Sequence, residues 1–357
     1  VKVAIKKNYI KRKRFWAGSL LAQFLLFFIF SKTEITVRFF ERFFEWQKSL
    51  HQKIFAHSPF SVGDVAYILL AIIFNFFLIK ILNKKTRNAY LFKSVILLNI
   101  LYFIYQLFWG MLYFQEPIIH KLPKEEITLE ETKDLTVKYL KYCKQLRSLV
   151  KEDKDGVFKV EDLESIKQEI LKQQRRLPGF PDPKSSNNIN SLKPSLFTGI
   201  MSYTGILGYY NPFTAEAQYN AALPATYLPF TFAHESAHQL GYAREQEANF
   251  IGYLIGKNSE NKELKYSTYY FVLKSLLNSL AEKNPDFVKQ IIGEYSPEMK
   301  RDRAAEKRFV KEHEGIVENF FGFTNDLFLK SNQQEGSVTY SYFVDLMVRY
   351  ERYSGVK

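Results

Sequence analysis

Cysteine is all but missing from this chain: Cys143 stands alone among 357 residues. A single thiol excludes an intrachain disulfide and a thiolate metal cluster. Within Lys138-Tyr139-Leu140-Lys141-Tyr142-Cys143 it reads as a buried helical residue rather than a nucleophile. Charge is missing from three stretches, Phe15–Phe30, Val65–Ile79 and Ser94–Gln115. A bilayer-crossing helix needs about 20 apolar residues. The third stretch is long enough alone, and the first two become so if their flanks snorkel or the bilayer thins. Membrane segments are therefore expected at about 15–31, 62–82 and 93–114. The mean hydropathy of −0.21 is no objection, because it averages an apolar third with a polar remainder. No small-residue cleavage site follows Phe30, which argues against a removed signal peptide, and no internal repeat is apparent.

Acidic residues are scarce in one region only. Residues 1–115 hold 17 Lys and Arg against four acids, while residues 116–357 hold 33 of each sign. The whole net charge of +13 thus belongs to the membrane region, and a nucleic-acid partner loses its main support. The amino-terminal tail (Lys2, Lys6, Lys7, Lys11, Arg12, Lys13, Arg14) and the connection between the second and third segments (Lys84, Lys85, Arg87, Lys93) carry the excess. In a three-span arrangement both lie on one side, which the positive-inside rule makes cytoplasmic. A multi-pass protein of the cytoplasmic membrane follows, with residues 1–115 as membrane region and 116–357 as an extracytoplasmic domain. The loop 32–60 contains Val37-Arg38-Phe39-Phe40-Glu41-Arg42-Phe43-Phe44-Glu45-Trp46. This reads as an amphipathic helix, lying in the membrane interface or packed on the domain.

Beyond the membrane region, Ile127–Val150 and Val160–Leu177 have the pattern of amphipathic helices. Pro178–Pro194 reads as an exposed loop rich in turn residues. A turn and short strand are expected within Ile206–Leu223. Further helices are expected over Tyr266–Ala281, Pro285–Tyr295 and from Pro297 to about Asn325.

What is present is concentrated at His234-Glu235-Ser236-Ala237-His238. Residues four apart share a helix face, so two imidazoles converge on one point, as a zinc ion requires. Glu235, one position round, reaches a water on the metal rather than the metal itself. Pro229 suits a first helical turn and Gly241 a helix stop. Five residues with three fixed positions can arise by chance, so the continuation carries weight. In Arg244–Gly256, Ala248, Ile251, Leu254 and Ile255 form an apolar stripe at helical spacing. Glu245, Asn249, Gly252 and Gly256 form a narrow face headed by a carboxylate. Two glycines inside a helix cost about 1 kcal/mol each relative to alanine, and close approach of another backbone explains them. If that backbone is the first helix, Glu245 reaches the metal as third ligand. Glu247, on the apolar stripe, is the alternative.

Glu245-x-x-Ala248-Asn249 resembles the E-x-x-A-D signature of membrane-bound gluzincin peptidases. The resemblance implies that Glu245 is the third zinc ligand, and that residue 249 orients a metal-binding histidine. Asn249 replaces the usual acid, which makes that hydrogen bond neutral and weaker. Only six residues separate His238 from Glu245, so the chain must reverse at once. The short gap also invites comparison with metzincins. There Arg244 would occupy the third-ligand position, and a guanidinium cannot bind zinc. In layout the chain resembles a family of bacterial multi-pass membrane proteins known only as a domain of unknown function, with an H-E-x-A-H and a downstream R-E-x-E-A-N-F.

The expected fold is a mainly α membrane protein: three transmembrane helices and a mostly helical zincin-like α+β domain with a small sheet. The expected activity is zinc-dependent peptide-bond hydrolysis, with one Zn²⁺ on His234, His238 and Glu245, Glu235 as general base, and Asn249 behind the ligands. A strand at Ala217–Ala221 would supply a peptide-binding edge, with Ala217 and Tyr219 in contact with a peptide or protein substrate. Arg244, Tyr203, Tyr340 and Tyr342 are candidates to steady an oxyanion, and His313 reads as a surface residue. Two alternatives differ in class. One is an inactive zinc-binding membrane scaffold or sensor, and the other an intramembrane protease, disfavoured by the charges within 229–256.

Overall fold

The computed structural model describes residues 13–177, 184–315 and 339–355. Four helices open the chain: α1 (Lys13–Phe30), α2 (Glu34–Ala56), α3 (Val62–Leu82) and α4 (Arg87–Phe108). Of these α1, α3 and α4 are long and apolar enough to cross a membrane. At 1.5 Å per residue, the 21 residues of α3 span about 30 Å, the hydrocarbon thickness of a bilayer. Their apolar side chains face outward, with Ile72, Phe74, Phe76 and Ile79 of α3 all exposed, as lipid-facing residues should be. Polar contacts join α1 to α4, among them the Lys13 ammonium on the Asn88 side chain. Gln23 Nε2 donates to Asn99 Oδ1 (2.8 Å), and Asn99 Nδ2 donates to the Trp16 carbonyl (3.0 Å).

The third segment differs from the expected 93–114. Its helix begins earlier, at Arg87, and stops at Phe108. Trp109 leaves helical geometry (φ −146°, ψ −53°), and Gly110–Phe114 forms a tight 3₁₀ turn. Trp109, Met111, Leu112 and Tyr113 are buried in protein. Hydropathy does not separate an apolar residue in lipid from one in a core, so this end looked like membrane.

Helix α2 bears out the packed reading of the 32–60 loop. Its inner face packs on the domain: Gln52 Nε2 donates to the Gln239 carbonyl (3.2 Å), and Lys48 Nζ to the Ser185 carbonyl (2.7 Å). Its outer face leaves Ile35, Phe39, Trp46, Leu50 and Ile54 exposed.

The remaining helices are α5 (Leu129–Arg147), α6 (Leu163–Gln174), α7 (Thr198–Thr204), α8 (Leu228–Leu240), α9 (Glu245–Asn258), α10 (Lys262–Leu280), α11 (Pro285–Gly293), α12 (Pro297–His313) and α13 (Thr339–Gly355). Thr128 and Glu131 close a capping box on α5, satisfying first-turn amides reciprocally. The sheet has three short strands, β1 (Leu192–Pro194), β2 (Gly208–Asn211) and β3 (Glu216–Tyr219), in the order β1-β3-β2. β1 pairs parallel to β3, with Leu192 opposite Ala217; β2 pairs antiparallel, with Tyr209 opposite Gln218. The end of the expected 178–194 loop is therefore an edge strand, where Pro194 is tolerated at the terminus. Residues 178–183 lie outside the described residues, as do 316–325 of the expected last charged helix.

The main core gathers Phe232, Ala233 and Ala237 of α8, Ile251 and Leu254 of α9, Tyr266, Tyr270 and Leu273 of α10, and Phe343 and Met347 of α13. Cys143 is fully buried within it and free, and burial pushes its thiol up.

Glu351 ties α13 to this core, accepting from Lys257 Nζ (2.6 Å), Tyr253 hydroxyl (2.7 Å) and Lys138 Nζ (2.8 Å). Burial alone would raise its pKa, but these donors bring it down to about 2. A depressed folded pKa gives stability present above the unfolded value of about 4.5 and lost as pH falls toward 2. The ceiling is about 3 kcal/mol. Thermal unfolding of the solubilised protein should therefore move to lower temperature between pH 4.5 and 2, and Glu351→Gln should lack this component. An equal acid response in both proteins would refute the assignment.

Candidate metal centre

α8 carries the histidines and is built to be rigid. Pro229 lies in its first turn, and the Phe230 amide is satisfied by Ser267 Oγ (3.1 Å). The helix ends at Gly241, whose φ of +99° is costly for any residue with a side chain. That turn reverses the chain within four residues, so α9 returns across α8. At the crossing, a Cβ on Gly252 would lie 3.1 Å from the His234 amide nitrogen, so the glycine there does admit the histidine helix. Gly256 has a different neighbour, the Thr268 side chain of α10.

This crossing sets Glu245, in the first turn of α9, against both imidazoles. Glu245 Oε2 lies 3.2 Å from His234 Nε2, and Oε1 lies 3.5 Å from His238 Nε2. One ligand atom from each of the three residues falls within 4.8 Å of the others. The opposite ring nitrogens are tied back: His234 Nδ1 to Asn249 Oδ1 (2.8 Å), and His238 Nδ1 to the Tyr242 carbonyl (2.7 Å). A carbonyl only accepts, so His238 carries its proton on Nδ1 and presents Nε2 toward Glu245. Asn249 thus stands where the sequence put it, behind His234.

Glu247 is elsewhere. It accepts from the Ile118 amide (2.9 Å) and from Arg244 Nη1 (3.1 Å). Its burial on the apolar stripe is explained by these partners, and Arg244 is occupied there and on the Gln115 carbonyl. Tyr203 is on α7, half exposed, with its ring 5.0 Å from His313. His313 turns Nδ1 to its own helix at the Phe309 carbonyl (2.7 Å). Tyr342 belongs to α13, and the Tyr340 side chain lies outside the described residues.

Glu235 is buried, and its Oε2 has no hydrogen-bond partner. Burial raises its pKa and Glu245 adds to this, while the two histidines oppose; the result is about 7. Glu245 moves the other way. Burial would raise it, but His238 and His234 hold it well below the carboxylate range. Burial alone would lower His238, which Glu245 instead brings up to about 9.

The peptide-edge assignment needs correction. β3 is the central strand, with both edges taken: Ala217 N donates to the Ser191 carbonyl (2.8 Å), and the Tyr219 carbonyl accepts from Ser195 N (2.9 Å). Ala217 and Tyr219 are both buried and have no free edge to offer a peptide. Among the described residues the strand over the site is β2. A Cβ on Gly208 would fall 2.5 Å from Glu235 Oε1, so only glycine lets β2 pass this close. The Asn220 amide donates to the Leu207 carbonyl (2.9 Å). By the alternation of an antiparallel ladder, the backbone groups of Gly208 and Tyr210 then face away from β3.

Trp109 completes the wall, its ring centroid 4.4 Å from that of Tyr210 and 5.8 Å from that of His238. Tyr113 accepts from Trp109 Nε1 (3.3 Å) and feels the charge of Glu245, which adds to the burial that raises its phenol. Sequence reasoning missed Gly208, Tyr210, Trp109 and Tyr113. The one available signal was the tryptophan-glycine break at Trp109-Gly110, inside an otherwise unbroken apolar run.

The donor set suits zinc on the structure's own terms. Two imidazole nitrogens and a carboxylate converge, both imidazoles are held from behind, and an unpartnered carboxylate oxygen stands beside them. Among the described residues no fourth His, Cys, Asp or Glu joins the group, an arrangement typical of open rather than closed zinc sites.

Compared with known proteins, residues 39–348 match the family model described as Protein of unknown function (DUF3810). No curated protein and no solved structure matches the chain.

Proposed function

The chain belongs to the DUF3810 family, whose description names no activity, and we infer from the site itself that it is a membrane-anchored zinc-dependent peptidase with a zincin-like domain. The observation that carries this reading is Glu235: a buried carboxylate with one oxygen unpartnered, next to a three-residue donor set and under an open strand edge. His234, His238 and Glu245 would hold the metal. When bound, zinc supplies Lewis acidity, acidifying a water and polarising a carbonyl oxygen. Asn249 and the Tyr242 carbonyl fix the imidazoles so that both Nε2 atoms stay presented.

An extended peptide adds to the free edge of β2 through Gly208 and Tyr210, which lays its scissile bond across Glu235. Glu235 Oε2, unpartnered and buried beside the donor set, takes a proton from the attacking water and returns it to the leaving nitrogen. Trp109 and Tyr210 exclude bulk water from that transfer.

Glu235→Gln separates an enzyme from an inactive zinc-binding protein. The variant should keep its metal and fold, and lose about 100-fold or more of any hydrolysis of a fluorogenic peptide mixture. Equal hydrolysis by variant and wild type would assign the activity to a contaminant and sink the proposal.

We propose that the domain lies outside the cytoplasm, a reading supported by the charge distribution. A cysteine introduced at exposed Lys151 should react in intact cells with a thiol reagent that cannot cross membranes, while buried Cys143 stays silent. Reaction only after cell lysis would reverse the orientation.

A further inference from the structure

Helix α2 is where the three membrane-crossing helices meet. It follows α1 after residues 31–33 and leads into α3 through residues 57–61. Links of this length reach about 10 Å and about 18 Å at most, so both ends of α2 stay near the bilayer ends of its neighbours. The packing agrees. The Phe40 ring lies 6.0 Å from that of Phe27 and 6.3 Å from that of Phe30, both in the last turn of α1. The Phe43 ring lies 6.0 Å from that of Phe108, the last residue of α4. The 23 residues of α2 extend about 34 Å, and its charges, spread from Glu34 to Lys53, bar it from crossing the hydrocarbon itself. A helix fastened in this way to one face of the bilayer lies along that face.

Its two sides differ. At about 100° per residue, Ile35, Phe39, Trp46, Leu50 and Ile54 share one arc, and all are exposed, Ile35 to 85% and Trp46 to 76%. Phe40, Phe44, Gln47, Lys48 and Gln52 lie round the far side and are buried. That far side carries the domain, through the bonds of Lys48 and Gln52. With the domain on one side of an in-plane helix, the opposite side is turned to the bilayer. Exposed Arg42 and Lys53 line the margin of the apolar arc, beside the Arg38–Glu34 pair. An apolar face with a basic edge matches acyl chains below and lipid phosphates at the rim, and tryptophan is enriched at that depth.

A second element stands at the same level. The Leu196 amide donates to Asp64 Oδ2 (2.7 Å) in the first turn of α3, so α7 opens beside the membrane entry. Leu196 and Ile200 are exposed there.

We propose that α2 is an in-plane anchor seated in the leaflet on the domain side, with Ile35, Phe39, Trp46, Leu50 and Ile54 among the upper acyl chains and Arg42 and Lys53 at the phosphates. The partner is the lipid bilayer, and apolar burial drives the contact. The metal helix rests on this floor. Gln52 holds the Gln239 carbonyl in the last turn of α8, and a Cβ on Gly241 would lie 2.7 Å from the Phe44 ring. Packed helices stand about 8–10 Å apart, so the end of α8 lies one helix layer above the lipid. This assignment holds whatever reaction the metal donors serve.

The test is nitroxide depth measurement on full-length protein in vesicles of phosphatidylcholine and phosphatidylglycerol. Labels are placed by Phe39→Cys, Trp46→Cys and Leu50→Cys on the arc, Arg42→Cys on its margin, and Lys151→Cys on the domain. Cys143 is fully buried, so a single label per chain certifies an intact fold. Molecular oxygen concentrates in the bilayer, whereas a nickel chelate stays in water. Labels on the arc should relax with oxygen rather than nickel, at a depth of about 5–10 Å below the phosphates. The Arg42→Cys label should sit at the phosphates, and the Lys151→Cys label should favour nickel.

Nickel access along the arc equal to that at Lys151→Cys would put this face in water and overturn the proposal. Shielding from both reagents would put the face against protein and overturn it too. Dipolar broadening that dilution with unlabelled chain relieves would identify that protein as a second copy.

Discussion

His238→Ala and Glu245→Ala should each yield folded, detergent-purified protein devoid of zinc, where the wild type holds close to one ion per chain. Three protein ligands form the whole donor set among the described residues, so removing one leaves two. A structural zinc site in a small peptide is worth about 10–16 kcal/mol, and much of such an affinity goes with one ligand. The effect is close to all-or-none and is read by elemental analysis. Asn249→Ala keeps all three ligands but frees the His234 ring, and should weaken zinc about 10–100-fold. Glu247→Gln should retain zinc, because Glu247 Oε1 is turned to the Ile118 amide and Arg244 rather than to the histidines. A folded wild type without zinc, or zinc retained by His238→Ala, would end the metallopeptidase proposal.

The second large effect lies far from the metal. Arg147 and Asp302 form a buried two-pronged pair: Nε to Oδ2 at 2.6 Å and Nη2 to Oδ1 at 3.1 Å, with the two side chains 1% and 0% exposed. Asp302 also accepts from the Phe158 amide (2.8 Å) and the Tyr266 hydroxyl (2.7 Å). One carboxylate thus joins α5, the Glu152–Phe158 turn, α10 and α12. Asp302→Ala leaves the buried guanidinium to Glu152 (3.0 Å) and the Gly156 carbonyl (3.0 Å) and strands the Phe158 amide and Tyr266 hydroxyl, at a cost of about 3 kcal/mol. The unfolding midpoint of the solubilised protein should drop accordingly. Replacing both partners, Arg147→Met with Asp302→Leu, should recover part of that loss, since the under-paired buried charge is removed while the Phe158 amide and Tyr266 hydroxyl stay unmatched. A double variant no better than Asp302→Ala would show that the pair's geometry, not its charge, holds these elements.

What the sequence revealed and what it concealed divide along physical lines. The spacing of His234 and His238, the stop at Gly241 and the small face of α9 are local rules of helix geometry, and they placed His234, His238, Glu245 and Asn249 in one cluster. Gly252 was legible because a glycine inside a helix needs a reason. Gly256 showed the limit of that argument, since the neighbour it admits is the Thr268 side chain. The strand over the site was not legible. β3 reads Glu-Ala-Gln-Tyr and is buried at all four positions, a polar sequence that alternation rules would not place at the centre of a sheet. Its buried Glu216 is matched by Lys193 Nζ from β1 at 2.6 Å, a partner 23 residues away within what looked like a linker. Trp109 and Tyr113 were hidden differently, by belonging to an apolar run that leaves the membrane without any charged residue marking the exit.

The Glu216 carboxylate has another tie. Its oxygens accept from the amides of Val62 (3.2 Å) and Gly63 (2.6 Å), 154 and 153 residues earlier in the chain. Those amides open α3, and the first amides of any helix have no partner within it. The membrane helix therefore begins life with its entrance unfinished, and the group that finishes it is translated only after some 150 further residues have been added. Insertion and folding cannot be separate chapters for this protein. Its lipid-facing scaffold reaches its final form only when the last strand of the sheet arrives, so biogenesis closes at the same junction where the Tyr209 hydroxyl meets Asp64.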